Sequence, residues 1–141
     1  MIPAEARYLP GELVQLCHQI RNDGSASGSK RGTPLLQPGA RGLVVDVGLH
    51  LNRTLIYRVD FMADGLVLGC RDVELQPQYG LLTTTLMHAD QRLADRGQQL
   101  RVVALADRPG YYQVEIDDWQ CELPERAFEW LPPAVAVTKG D

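Results

Sequence analysis

Hydrophobic residues in this chain fall in short runs with a period of two, and turn-forming residues separate the runs. Three such runs, at 42–47, 54–61 and 66–70, are rich in Val, Ile, Tyr and Phe and are parted by Gly or Asn turns, which predicts a three-strand meander. In the middle run Leu55, Tyr57, Val59 and Phe61 alternate with Ile56, Arg58 and Asp60, so the first set shares one face, and that face is expected to be core. Arg71-Asp72-Val73-Glu74-Leu75 reads as a single turn followed by a short closing strand, which Pro77 ends. Ahead of the meander, 12–20 reads as a strand opened by Pro10-Gly11, and 21–39, dominated by Asn, Asp, Gly, Ser, Thr and Pro, reads as a long irregular loop. Strand, long loop, meander, tight turn and short strand is the order of an SH3-like barrel.

A weaker second copy follows. Tyr57, Val59 and Phe61 fall on Tyr112, Val114 and Ile116, each 55 positions later, and with a turn two residues shorter Cys70 and Leu75 fall on Leu123 and Phe128. Its meander is predicted at 100–105, 111–116 and 119–123, with a hairpin turn at Asp107-Arg108-Pro109-Gly110. Before it, 82–87 reads as the opening strand and 88–96 as a short helix ended by Gly97. The expected fold is therefore mainly β: two tandem small SH3-like barrels, at 1–79 and 80–133, with a short helix in the connecting segment and a frayed tail at 134–141.

Composition narrows the function classes. With 45% apolar and 23% charged residues the 141-residue chain has the make-up of a folded globular protein, long enough for one good core or two small ones. A net charge of -4 opposes a phosphate backbone, so nucleic acid is not an expected partner. No basic start leads into an apolar stretch and no window approaches 18 apolar residues, which points to the cytoplasm and away from a membrane.

Candidate chemistry is sparse. Cys17, Cys70 and Cys121 lie about fifty residues apart without a C-x-x-C pair, indicating neither a disulfide scaffold nor a zinc site. His18, His50 and His88 are isolated, and no nucleophile motif accompanies them, so the chain is not read as an enzyme. Glu115, Asp117 and Asp118 mark a solvated hairpin tip rather than a cation site. Cys70 precedes Arg71, and an adjacent guanidinium would depress a thiol pKa. The favoured reading is nevertheless a small buried hydrophobe, and any metal role would turn on this residue. Tyr111, Tyr112, Trp119 and Trp130 are aromatics of the interface type, although a small barrel needs most of them as core.

Taken in order, Gly11-Glu12, Ile20-Arg21-Asn22-Asp23-Gly24, Gly28, Arg31-Gly32, Val44-Val45-Asp46-Val47-Gly48, Leu55-Ile56-Tyr57-Arg58-Val59-Asp60-Phe61 and Val67-Leu68-Gly69-Cys70-Arg71-Asp72-Val73-Glu74-Leu75 resemble the NifZ family of nitrogen-fixation accessory proteins. The likeness covers about residues 11–77, with departures at Ser25-Ala26-Ser27-Gly28, Leu49-His50-Leu51-Asn52 and Asp60. The resemblance implies a non-catalytic, cofactor-free assembly chaperone. Such a protein binds immature subunits of the nitrogenase molybdenum–iron protein and promotes formation of its second P-cluster. Docking is expected through Arg21, Asn22, Asp23 and Arg31 in the long loop and through Arg71 in the adjoining turn. Two alternatives remain beside it: an iron or iron–sulfur carrier using the three cysteines, and a small-barrel nucleic-acid-binding module.

Overall fold

The computed structural model describes residues 2–21 and 34–134. Alternating burial builds its first half from β1 (Leu13–Leu16), β2 (Ile20–Arg21), β3 (Pro34–Leu36), β4 (Arg41–His50), β5 (Thr54–Phe61), β6 (Leu66–Arg71) and β7 (Leu75–Pro77). The second half contains β8 (Tyr79–Leu82), β9 (Leu86–His88), β10 (Gln91–Ala94), β11 (Gln99–Leu105), β12 (Tyr111–Ile116), β13 (Trp119–Pro124) and β14 (Phe128–Trp130). Two five-stranded antiparallel sheets result, ordered β6-β5-β4-β1-β7 and β13-β12-β11-β8-β14, so each opening strand lies between the meander and the closing strand.

Pair register makes the two sheets equivalent residue by residue. Tyr57 faces Cys70 as Tyr112 faces Leu123, and Leu16 faces Leu75 as Leu82 faces Phe128. Val44 faces Val59 as Val102 faces Val114, and in both sheets the next residue, Val45 or Val103, is a bulge. A bulge at that point bends the long strand and increases its local twist. One-turn 3-10 helices at Asp72–Glu74 and Glu125–Ala127 lead into the closing strands.

The predicted period of two holds in β5, where Tyr57, Val59 and Phe61 are fully buried. With Val14, Leu16, Val44, Cys70, Leu75 and Tyr8 they make the first core. Leu82, Leu100, Val102, Val114, Ile116, Leu123 and Phe128 make the second, and Leu13 of β1 joins them. All four residues of β1 are therefore buried: Val14 and Leu16 face one core, Leu13 enters the other, and the Gln15 amide donates to the Pro77 carbonyl at 3.1 Å. A bridge between Glu12 and Ala104, an ion pair from Arg101 to Glu12 at 3.5 Å, and the Val102 N–H donating to the Gln78 carbonyl at 2.7 Å also tie the halves together.

Three expectations are corrected. Residues 88–96 are not helical: β9 and β10 form a hairpin turning at Ala89 and Asp90, both with positive φ. Of that stretch only Ala94 is buried, so a helix there would have had no apolar face to pack, and a helix this short gains too little from its own hydrogen bonds. The second half opens at Tyr79–Leu82, ahead of the 82–87 run, because Leu82 is the residue that meets Phe128. The first strand stops at Leu16. Residues 20–21 then pair with Pro34–Leu36 as a two-strand ribbon, in the place that β9 and β10 occupy in the second half. Most of the long loop, and the tail beyond 134, lie outside the described residues. Ala134 itself is tied down, exchanging two hydrogen bonds with the Gln76 amide.

One packing detail separates the sheets. Val14 sits opposite Gly42, whereas in the second sheet the glycine is on the opening strand, Gly80, opposite Leu100. A Cβ at Gly42 would overlap Val59 Cγ1 and lie 3.1 Å from the Phe61 ring, while one at Gly48 in the same strand would meet nothing within 4 Å. Overpacking of a filled core costs about 1–3 kcal/mol. Gly42→Ala is therefore expected to lower unfolding stability by that amount, and Gly48→Ala to stay within about 0.5 kcal/mol of the parent in urea titrations.

Candidate docking site

Of the residues expected to dock a partner, Arg71 has described side-chain geometry. Arg21 takes part through its backbone in β2, and Asn22, Asp23 and Arg31 lie outside the described residues. Arg71 ends β6 where the chain enters the Asp72–Glu74 turn. Glu74 closes that turn by accepting the Arg71 backbone N–H at 2.7 Å. The Arg71 guanidinium stands 3.7 Å from the same carboxylate, and its side chain is 61% exposed. An ion pair so exposed contributes little to stability, which leaves the cation available for another carboxylate.

The turn beneath Arg71 is held from three directions. Asp72 Oδ1 accepts from the Tyr57 hydroxyl at 3.1 Å and from Arg7 Nε at 3.0 Å, and Arg7 Nη2 reaches the carbonyls of Asp72 and Leu75. The Arg7 backbone N–H donates to the Tyr57 oxygen at 2.8 Å, so the phenol is donor and acceptor at once. Cys17 donates its backbone N–H to the Glu74 carbonyl and its thiol to the Val73 carbonyl, at 2.8 and 3.4 Å. Burial, reinforced by the hydrogen bond to Asp72, raises the Tyr57 pKa and keeps the phenol neutral. The result is a stiff turn presenting Arg71 beside the outward Val73, which is 64% exposed.

Arg7, Tyr57 and Cys17 had no docking or turn-holding role in the sequence reading. Their polar contacts join positions up to 68 apart, and no local spacing signals such a pairing. Tyr57 was placed correctly as core by its strand period, but its hydroxyl serves the turn.

The cysteines do not converge. Cys70 is fully buried in the first core, Cys121 packs against the second core, and Cys17 lies under the turn. The described residues contain no group of three or more His, Cys, Asp or Glu placed to hold a metal ion. Cys70 is the small buried hydrophobe that its strand position favours, and Arg71 does not activate it. Successive strand residues point to opposite faces, so the guanidinium goes to solvent while the thiol goes to the core. Burial, with Glu74 adding to it, pushes that thiol up to about 12. Burial likewise raises Cys17 and Cys121, both of which remain partly exposed.

At pH 8 iodoacetamide is expected to modify the native chain at Cys17 and Cys121 with Cys70 spared, and all three in urea, as counted by mass spectrometry. Because the folded thiol titrates above its unfolded value of 9.0, the Cys70 contribution to stability is intact below pH 9 and declines as pH rises from 9 towards 12. Rapid modification of Cys70 in the native chain would contradict its burial.

No helix among the described residues is long and apolar enough to cross a membrane. The family profile described as NifZ domain matches residues 5–77, from just before Arg7 to the last residue of β7. Protein NifZ of Azotobacter vinelandii is 46% identical over 65 residues, covering 46% of this chain and 41% of that protein. The putative NifZ protein of Sinorhizobium fredii is 39% identical over 77 residues, 55% of this chain and 71% of its own. Protein NifZ of Klebsiella pneumoniae is 38% identical over 71 residues, covering 50% of this chain and 48% of that protein. The matched segment thus spans about two fifths of the length of the Azotobacter relative. No solved structure matches the chain. A profile match over more than half the residues, enclosing the whole first sheet and the Arg71 turn, makes this chain a member of the NifZ family of nitrogen-fixation-associated proteins.

Proposed function

We propose that the protein is a non-catalytic assembly chaperone that binds the immature nitrogenase molybdenum–iron protein and promotes formation of its second P-cluster. The observation that carries this reading is the Arg71 turn: an exposed guanidinium with the exposed Val73, fixed on a turn that Arg7, Tyr57 and Cys17 hold still. A preordered patch loses little conformational entropy on docking, which favours binding. A partner that recognises one conformation of its target stabilises that conformation by mass action, with no reaction of its own. Arg21, Asn22, Asp23 and Arg31 are the further contacts of this proposal.

The fold behind it is two tandem SH3-like barrels, at 1–79 and 80–133. Supporting this are the repeated strand order, the repeated bulge, the ribbon in each first connection and the 3-10 turn before each closing strand. Cytoplasmic residence and the absence of a resident cofactor belong to the same proposal. Dispersal of the cysteines, with Cys70 in the first core, Cys121 against the second and Cys17 under the turn, weighs against the iron carrier, and the acidic balance weighs against a nucleic-acid module.

Affinity capture from nitrogen-fixing cells tests the reading. The tagged chain is expected to recover molybdenum–iron protein subunits, more from cells arrested before P-cluster completion than from cells with mature enzyme. Arg71→Glu should reduce recovery about tenfold, equivalent to about 1.4 kcal/mol, without changing the unfolding midpoint. Repeated capture without any nitrogenase subunit would contradict it.

A further inference from the structure

A cleft of about 130 Å³ opens where the two halves meet, lined by residues of both and by none of β6 or the Arg71 turn. Leu13, Met62, Leu105 and Tyr112 form its apolar walls, and Arg41, Gln78 and Trp130 complete it. The same three residues continue into a wider, more open trough of about 390 Å³ beside Leu131 and Pro132. The site is thus a partly enclosed pocket that continues into a more open trough.

Its polar groups are held in place, with Arg41 exposed and Gln78 buried. The Arg41 guanidinium carbon stands 4.0 Å over the Trp130 ring, a cation–π arrangement. Trp130 is fixed by edge-to-face contacts with Tyr112 and Phe128 at 5.1 and 5.0 Å and by its indole N–H donating to Glu125 at 2.8 Å. Among the described residues no carboxylate pairs with Arg41. Gln78 is 1% exposed. Its amide nitrogen donates to the Tyr79 and Leu131 carbonyls, but Oε1 accepts from no group among the described residues.

We infer that this cleft binds the carboxyl terminus of a polypeptide whose last residue is aliphatic. The pocket is close to the roughly 150 Å³ apolar cavity that accommodates a benzene ring, so it suits one such side chain. The planar fork of Arg41 matches a terminal carboxylate. Charge favours a terminus over an acidic stretch. Up to residue 77 eight Lys and Arg balance eight Asp and Glu, whereas beyond it six face ten, so the neighbouring half repels a run of carboxylates but tolerates a single one on Arg41. The inference concerns a second site and stands independently of the role proposed for Arg71.

The test uses the full chain and the peptide acetyl-Gly-Ser-Gly-Ser-Ala-Leu with a free carboxylate, followed through the two indole N–H resonances, which Trp119→Phe assigns. Saturable displacement of the Trp130 resonance is expected, with affinity at least tenfold weaker for the C-terminal amide and for Arg41→Gln. Arg41→Lys should fall between, and a leucine-to-serine change in the peptide should abolish binding. Equal binding of acid and amide peptides, unchanged binding by a folded Arg41→Gln chain, or no displacement at millimolar peptide would overturn the inference. So would an amidated peptide ending in aspartate that binds as well as the free acid, because recognition would then be of a side-chain carboxylate.

Discussion

A four-residue strand buried on both faces is the constraint from which the rest of this molecule follows. Strand β1 pairs with β4 on one side and β7 on the other, gives Val14 and Leu16 to the first core, and sends Leu13 into the second. Its one polar side chain, Gln15, is 1% exposed and is matched to the Pro77 carbonyl. A buried strand is expected to be almost wholly apolar, and a glutamine is tolerated here because its amide nitrogen finds an acceptor. Through β1 the two halves share a boundary, and the cleft between them takes its walls from both.

Much of the architecture was legible in the sequence where the period of two was unbroken. Tyr57, Val59 and Phe61 were read as one buried face, and the offset linking them to Tyr112, Val114 and Ile116 matches the pair register of the two sheets. The reading failed where local preference and tertiary context diverge. Residues 88–96 contain acceptable helix formers, but they lack a face to bury, and a hairpin took their place. At Cys70 the favoured reading as a buried hydrophobe holds, because strand alternation turns the thiol away from Arg71.

The sites themselves were only partly visible. Arg71 was picked out, yet what stiffens its turn comes from Arg7, Cys17 and Tyr57, contributed by distant parts of the chain. Trp130 was noted as an aromatic of the interface type, but its role as a platform for Arg41 depends on a contact across the junction of the halves. The family match stops at the end of β7, so the first sheet and its turn are what this chain has in common with its relatives. The second sheet adds the acidic charge and one wall of the cleft.

Equilibrium unfolding followed separately in each half tests most directly whether β1 makes the halves one unit. Trp119 and Trp130 both report on the second half by fluorescence, and alkylation of Cys70 at pH 8 reports on the first core. Shared burial predicts coincident urea transitions, and a Leu13→Ala chain whose two transitions move down together by about 2–5 kcal/mol. Separate transitions, or a Leu13→Ala shift confined to the tryptophan signal, would contradict the account.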